Sequence, residues 1–158
     1  MLYYSYPSRT IDPDSYLKRA VDWFSRAVKW DPTNVMAQLY LAHCYHDRKD
    51  YVRAINEYEK VDLVELGRNW PPWRRIKCIE QLAHCCACSG KTAEAIRRFT
   101  ALLSELESLD DPSLQENVVN LNEINDAVVN HLNDESLRQR TAKLLKRIED
   151  YLVGPPSP

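Results

Sequence analysis

Apolar residues recur every three or four positions along most of this chain, which is the pattern of amphipathic helices that bury one face. The first such stripe consists of Leu17, Ala20, Val21, Phe24, Ala27 and Val28. Similar stripes predict further helices over residues 35–48, 51–66, 74–88, 92–109, 114–132 and 135–152. The pattern therefore predicts an all-α protein of about seven antiparallel helices, because short links force neighbouring helices to run in opposite directions.

One segment of this pattern occurs twice. Leu41-Ala42-His43-Cys44 returns 41 residues later as Leu82-Ala83-His84-Cys85, and Arg53-Ala54-Ile55 returns as Glu94-Ala95-Ile96. An internal repeat of this length indicates stacked structural units of the same kind, each burying its apolar face on the next. The repeat predicts helical hairpins, with Lys49-Asp50 and Ser89-Gly90 at the turns.

Residues 35–66 and 74–109 resemble the tetratricopeptide repeat (TPR) family, whose unit is a helix-turn-helix of about 34 residues. The resemblance rests on small residues where helices must approach closely and aromatic residues between hairpins, among them Ala42, Tyr45, Ala54, Tyr58, Ala83, Ala95 and Phe99. It implies a right-handed α-solenoid over residues 15–153, with a half repeat at 15–34 and a capping hairpin at 113–153. Residues 1–14 are expected to form an extended arm and residues 154–158 a disordered tail.

Composition narrows the class of function. The 158 residues carry 21 basic and 23 acidic side chains, a balance that does not favour general binding to nucleic acid or to a membrane surface. The chain shows no apolar run of bilayer length and no signal peptide pattern at its start. Four of its five cysteines crowd into residues 78–88, where adjacent helical residues point to different sides and cannot pair comfortably. A reducing cytoplasmic location is therefore expected.

The histidines and cysteines on two predicted helices suggest a metal site, which the spacing does not favour. Zinc sites often pair one Cys-x-x-Cys spacing with a second pair of ligands, and this chain has a single such spacing, from Cys85 to Cys88, without a second one. Cys44 and Cys85 occupy positions where the repeat requires a small buried residue, so a structural role is expected. Ser89-Gly90-Lys91-Thr92 lacks the earlier glycine of a phosphate-binding loop. We expect no metal, no cofactor and no catalytic group.

Two surfaces are predicted to bind a partner. The resemblance implies a concave groove lined by the first helix of each hairpin, with His43 and His84 as neighbours. The groove residues are Leu39, Tyr40, His43, His46, Asp47, Lys77, Glu80, His84 and Cys88. The second surface is the loop at residues 68–75, whose tryptophans and arginines are types enriched in binding hot spots: Arg68, Trp70, Trp73, Arg74 and Arg75. The loop tryptophans could instead fill the space between hairpins, and the groove could be partly filled by the N-terminal arm.

The predicted function is a non-catalytic protein-interaction module, an adaptor or assembly subunit that holds a peptide or helix of another protein. Related repeat proteins that clamp acidic chaperone tails use paired lysines, asparagines and an arginine, a set that the groove of this chain lacks. Two alternatives remain open at this point. One is an inhibitor or immunity-type protein that blocks an enzyme, and the other is a metal- or thiol-dependent regulator that uses the His/Cys cluster.

Overall fold

A computed structural model describes residues 12–154 of the chain, and the regular secondary structure of this part is entirely helical, without a strand. The predicted all-α class is therefore confirmed for these residues, but they form nine α-helices where the pattern predicted about seven, because the helices predicted over residues 51–66 and 114–132 are each divided in two. The helices are α1 (Pro13–Trp30), α2 (Val35–Asp47), α3 (Tyr51–Tyr58), α4 (Leu63–Asn69), α5 (Pro72–Cys88), α6 (Thr92–Glu107), α7 (Asp111–Gln115), α8 (Val118–Ala127) and α9 (Glu135–Val153). A π-helical turn, Val128–Leu132, continues α8.

Short polar side chains fix where several helices begin. The Asn34 carboxamide oxygen accepts the backbone N–H of Ala37 at 2.9 Å, and the Asp134 carboxylate accepts that of Leu137 at 2.9 Å. Each bond satisfies one of the amides that the first turn of a helix leaves without a partner. Asp12 caps α1 in the same way, so α1 starts at Pro13, slightly earlier than its apolar stripe predicts. Proline suits this position because its missing N–H is not needed there.

The single helix predicted over residues 51–66 is wrong. Helix α3 ends at Tyr58, and the backbone then tightens, since Lys60 and Val61 donate to the carbonyls three residues earlier. Helix α4 starts at Leu63 and runs to Asn69, beyond the predicted helix end at residue 66 and into the predicted loop at residues 68–75. The pattern does not reveal the interruption because buried Val61 keeps the three-residue apolar spacing after buried Tyr58.

The N-terminal unit ends at Asp62 and its described part consists of α1, α2 and α3. Helix α2 packs between the other two and supplies most of the buried residues. Gln38, itself buried, donates to the Glu57 backbone carbonyl at 3.1 Å and to its carboxylate at 2.7 Å, which joins α2 to α3. Helix α1 buries no side chain completely and makes its main contacts with α2.

The C-terminal unit begins at Leu63 and comprises α4 to α9. Within it α5 packs on α6 and on α8, while α9 packs on α6, α7 and α8. Its core is formed by fully buried large side chains, among them Leu66, Phe99, Leu102, Leu103, Leu106, Leu114, Leu121 and Ile124. Burial of each such side chain contributes roughly 1.5–3 kcal/mol, which favours a stable packed unit.

The finer features of the expected architecture stay predictions. These are the right-handed solenoid and the repeat boundaries at 15–34, 35–66, 74–109 and 113–153. The expected arm at residues 1–14 lies outside the described residues up to position 11, and it is wrong for Pro13 and Asp14, which belong to α1. The expected tail lies outside the described residues after Gly154. Within residues 12–154, no helix combines the length and apolar character that crossing a bilayer requires.

Candidate functional site

The predicted groove residues on α2 contact other residues of the N-terminal unit. Leu39 is only 1% exposed and belongs to the core, so it does not form part of a partner-binding surface. The Tyr40 ring stacks on Phe24, with ring centroids 5.3 Å apart. The His43 Nδ1 atom lies 2.6 Å from the Tyr58 hydroxyl, a hydrogen bond that ties α2 to α3. Tyr40 and His43 are therefore half-buried structural residues as well as groove candidates.

The last turn of α2 contains the two remaining groove candidates on this helix, His46 and Asp47. The His46 Nδ1 atom lies 3.1 Å from a carboxylate oxygen of Asp47, and its ring meets Tyr51 edge to face at 6.1 Å. Asp47 is exposed. Of the five groove residues predicted on α2, Asp47 is therefore the exposed one, and His46 is half-buried like Tyr40 and His43.

On α5, the predicted groove residues lie against α8 and the π-helical turn of the same unit. The Lys77 ammonium donates to Glu80 at 3.2 Å and also pairs with Glu123 on α8. Glu80 is 1% exposed, and Gln81 donates to it at 2.8 Å. The predicted role of Glu80 as a partner-binding residue is therefore wrong for this structure, because α8 covers it.

Burial changes the acidity of two side chains on α5. Desolvation raises the pKa of Glu80 to about 7; the positive charge of Lys77 opposes this rise and the negative charge of Glu123 adds to it. Desolvation also raises the pKa of the Cys78 thiol to about 12, so this thiol is not a reactive nucleophile. Glu80 is thus a carboxyl group that can hold a proton near neutral pH.

The C-terminal end of α5 brings three metal-binding side chain types together. The Cys88 Sγ atom lies 3.4 Å from His84 Nε2 and 3.6 Å from His131 Nε2. The His84 and His131 rings meet nearly perpendicularly, with centroids 5.7 Å apart. His84 and Cys88 share a face of α5 because they are four residues apart. All three ligand atoms lie within 4.8 Å of one another.

His131 is the residue that the sequence analysis missed. It lies 43 positions after Cys88, in the π-helical turn rather than in a regular helix. The Asn133 N–H donates to the Val128 carbonyl at 3.2 Å, and Asn133 adopts φ +48°, which closes this wide turn. A contact between Cys88 and His131 therefore cannot be predicted from local residue spacing. A π-helical turn changes the direction of the following side chains and occurs often at functional sites.

The remaining cysteines are core residues, as predicted. Cys44 and Cys85, the paired residues of the repeat, are each 0% exposed, and Cys78 and Cys86 are each 1% exposed. The prediction that the first two fill small buried positions is confirmed. Among the five cysteines, Cys88 has the greatest exposure.

The predicted loop at residues 68–75 is largely helical, since α4 runs to Asn69 and α5 begins at Pro72, and this segment contains an aromatic and guanidinium cluster. The Arg74 guanidinium lies 4.9 Å from the centre of the Trp73 ring and 5.5 Å from that of Trp70, which is 39% exposed. Arg75 pairs with Glu105 and passes over Gly67, where a Cβ atom would meet Arg75 Cδ at 3.1 Å. Glycine at this position leaves room for the arginine. Arg68, in the last turn of α4, is exposed.

A further aromatic surface lies on α1. Trp23 is 66% exposed and Trp30 is 92% exposed. With about 100° of rotation per residue, they lie within about 60° of each other and of Arg19 and Arg26 on the helix surface. We call these four residues the tryptophan face of α1. The i, i+7 spacing of Trp23 and Trp30, outside the apolar stripe, is the sequence signal that could have revealed this face.

In comparisons with known proteins, no protein-family model, curated protein or solved structure matches this chain.

Proposed function

We propose that this chain is a non-catalytic protein-interaction module, an adaptor or assembly subunit whose partner binds the tryptophan face of α1. The observation that carries this proposal is the exposure of Trp23 and Trp30 on one side of a single helix. Tryptophan and arginine are enriched in binding hot spots, and this face combines two of each. A second chain that covered the two indole rings would remove a large apolar area from water.

The geometry of α1 favours binding by a short segment. The two tryptophans are seven residues apart, so their positions differ by about 10 Å along the helix axis. Both are held on a regular helix, so less conformational freedom is lost on binding than for a loop. The opposite side of α1 is anchored to α2, where Phe24 stacks on Tyr40. A partner segment with two apolar side chains at matching spacing would therefore fit.

The charges on this face indicate the chemistry of the partner. Arg19 and Arg26 are exposed, and Arg26 pairs with Asp22 at 3.0 Å. Arg26 shares its charge with Asp22, and Arg19 lies about two turns before Arg26 on the same side of the helix. We therefore expect a partner segment whose apolar residues are flanked by carboxylates, since guanidinium groups bind carboxylates with two parallel hydrogen bonds.

The Trp70–Arg74 cluster is a second candidate contact in the C-terminal unit. Its guanidinium already lies near both indole rings, which restricts the side chains before any partner arrives. The double variant Trp70→Ala, Trp73→Ala tests this cluster separately from the tryptophan face.

A displayed library of random peptides, selected on the purified chain, tests the proposal even though the partner is unidentified. We expect enrichment of peptides that combine apolar residues with Asp or Glu. The selected peptides are then synthesised, and their affinity is measured by calorimetry. The double variant Trp23→Ala, Trp30→Ala should bind them at least about 30-fold more weakly, which corresponds to the 2 kcal/mol that defines a hot spot.

Two matched variants serve as controls. Val64→Ala removes an exposed apolar side chain outside the tryptophan face and should leave the affinity unchanged. The double variant Trp70→Ala, Trp73→Ala should also bind normally if the tryptophan face is the site. The proposal is wrong if no peptide is enriched, or if the selected peptides bind the Trp23→Ala, Trp30→Ala chain as tightly as the wild type.

A further inference from the structure

We propose that His84, Cys88 and His131 form a zinc-binding site that joins the end of α5 to the π-helical turn. This site is independent of the partner-binding face proposed above. It uses a histidine that local sequence spacing does not reveal, and the three side chains come from two separate segments of the C-terminal unit.

The distances between the ligand atoms in the structure fit tetrahedral coordination. With Zn–S near 2.3 Å and Zn–N near 2.05 Å, the sulfur and each nitrogen should be about 3.6 Å apart. The observed Cys88 Sγ to histidine Nε2 distances are 3.4 and 3.6 Å. Two nitrogens in such a site should be about 3.4 Å apart. The ligand nitrogens of His84 and His131 lie within 4.8 Å of each other in the structure. Only a small side-chain movement is therefore needed to reach the tetrahedral distance, and exposed His131 can make it.

The donor set selects the class of metal. One thiolate and two imidazoles are ligands for zinc and other late transition metals, whereas magnesium and calcium prefer oxygen. Three protein ligands leave a fourth position, which water can occupy because His131 is exposed. The thiol must lose its proton to the solvent when the metal binds.

The position at the end of a helix also favours a cation. Cys88 is the last residue of α5, and His84 lies one turn earlier. The carbonyl groups at the C-terminal end of a helix carry partial negative charge, which stabilises positive charge and disfavours a bare thiolate. A divalent ion at this place would neutralise the thiolate and interact favourably with the helix end.

The experiment uses the full chain without an affinity tag, reduced and stripped of metal with a chelator. Zinc binding is measured by competition with a chromogenic chelator, and Co²⁺ serves as a spectroscopic probe. We expect one equivalent of zinc per chain and a cobalt spectrum with a thiolate-to-metal charge-transfer band. Mg²⁺ should not compete.

Variants assign the ligands. Cys88→Ser should abolish the charge-transfer band. His84→Gln and His131→Gln should each weaken zinc binding at least about tenfold, because even the loss of a residue that only hydrogen-bonds to a metal ligand typically costs that much affinity. His46→Gln, the same substitution at a histidine of the other unit, should have no effect. Circular dichroism and the melting temperature of each metal-free variant show whether it has folded.

Several outcomes would overturn the proposal. It fails if the wild type binds no zinc, if the cobalt spectrum lacks the thiolate band, or if folded Cys88→Ser and His131→Gln chains keep wild-type affinity. Rapid alkylation of Cys88 without metal binding would also overturn it and would point to a reactive thiol instead. A rise in melting temperature with zinc for the wild type, absent in His131→Gln, would support it independently.

Discussion

The α2–α3 and α5–α6 hairpins carry the same Leu-Ala-His-Cys segment, and their histidines have different partners. The Tyr58 hydroxyl holds His43 at 2.6 Å in the first hairpin. The residue that corresponds to Tyr58, 41 positions later, is Phe99, which has no hydroxyl. His84 instead lies beside Cys88, which corresponds to Asp47 in the first hairpin. The helical framework is thus repeated as far as Tyr58 and Phe99, after which α3 ends and α6 continues to Glu107. Within the repeated part, one hydroxyl and one thiol change what the histidine can do.

The small residues at equivalent positions of the two hairpins are buried to the same extent. Ala42 and Ala83 are both 0% exposed, as are Ala54 and Ala95. A small side chain at these positions lets two helices approach, and any larger one would create strain in a densely packed core. Packing therefore constrains these positions, whereas the polar positions beside them are free to acquire different chemistry.

The largest expected effect comes from another pair of equivalent positions, Leu39 and Glu80. Both are 1% exposed, and only the second can ionise. The folded chain raises the pKa of Glu80 from 4.5 to about 7, so it binds a proton more tightly than the unfolded chain. The free energy of unfolding should therefore fall as pH rises from 4.5 to 7, by on the order of 3 kcal/mol. Glu80→Gln should remove this fall.

Hydrogen exchange of the C-terminal unit, measured from about pH 5 to about pH 8 and corrected for intrinsic rates, checks this prediction. Glu116→Gln, at an exposed position, is the control and should keep the wild-type pH dependence. Equal pH dependence in the wild type and in Glu80→Gln would show that Glu80 does not stay protonated in the folded chain. The N-terminal unit, with Leu39 in place of the carboxyl group, should not respond to the Glu80 substitution.

The hydrogen bond of His43 should give the next largest effect. Tyr58→Phe makes the first hairpin resemble the second at this position and should destabilise the N-terminal unit by about 1 kcal/mol, the usual net value of one hydrogen bond. Hydrogen exchange of α2 and α3 measures the change, and the His43 ring resonances should shift in NMR spectra. Tyr151→Phe, at a 42% exposed tyrosine, should change neither. An unchanged stability with unchanged His43 resonances would contradict the proposed role of the hydroxyl.

The sequence predicted the repeated hairpins and the buried small residues because both depend on local periodicity. It could not predict that His131 meets Cys88, since that contact joins positions 43 residues apart through a π-helical turn. It also could not show the break after Tyr58, because the apolar spacing continues through it. The stripe that identifies α1 gives no sign of Trp23 and Trp30, because both lie outside it. Local patterns thus predicted most of the helices but not the break after Tyr58, and long-range packing determined the cluster of His84, Cys88 and His131.

The turns of the two hairpins offer the smallest and most direct comparison. Lys49 adopts φ +59° after α2, and Gly90, its counterpart after α5, adopts φ +78°. Both turns close with a backbone bond across five residues, from Asp50 to Tyr45 and from Lys91 to Cys86. This left-handed conformation costs a residue with a side chain about 1–2 kcal/mol. Glycine avoids that cost, but its greater conformational freedom stabilises the unfolded chain by roughly 0.4–1 kcal/mol.

Lys49→Gly should therefore stabilise the N-terminal unit by up to about 1 kcal/mol, and Gly90→Lys should destabilise the C-terminal unit by a similar amount. The space around Gly90 is open, with nothing within 4 Å of an added Cβ atom, so the cost there is conformational rather than steric. Hydrogen exchange resolves the two units separately. If Lys49→Gly stabilises the N-terminal unit while Gly90→Lys leaves the C-terminal unit unchanged, the two turns are not energetically equivalent. The two turns would then share their backbone geometry but not the free energy that this geometry costs.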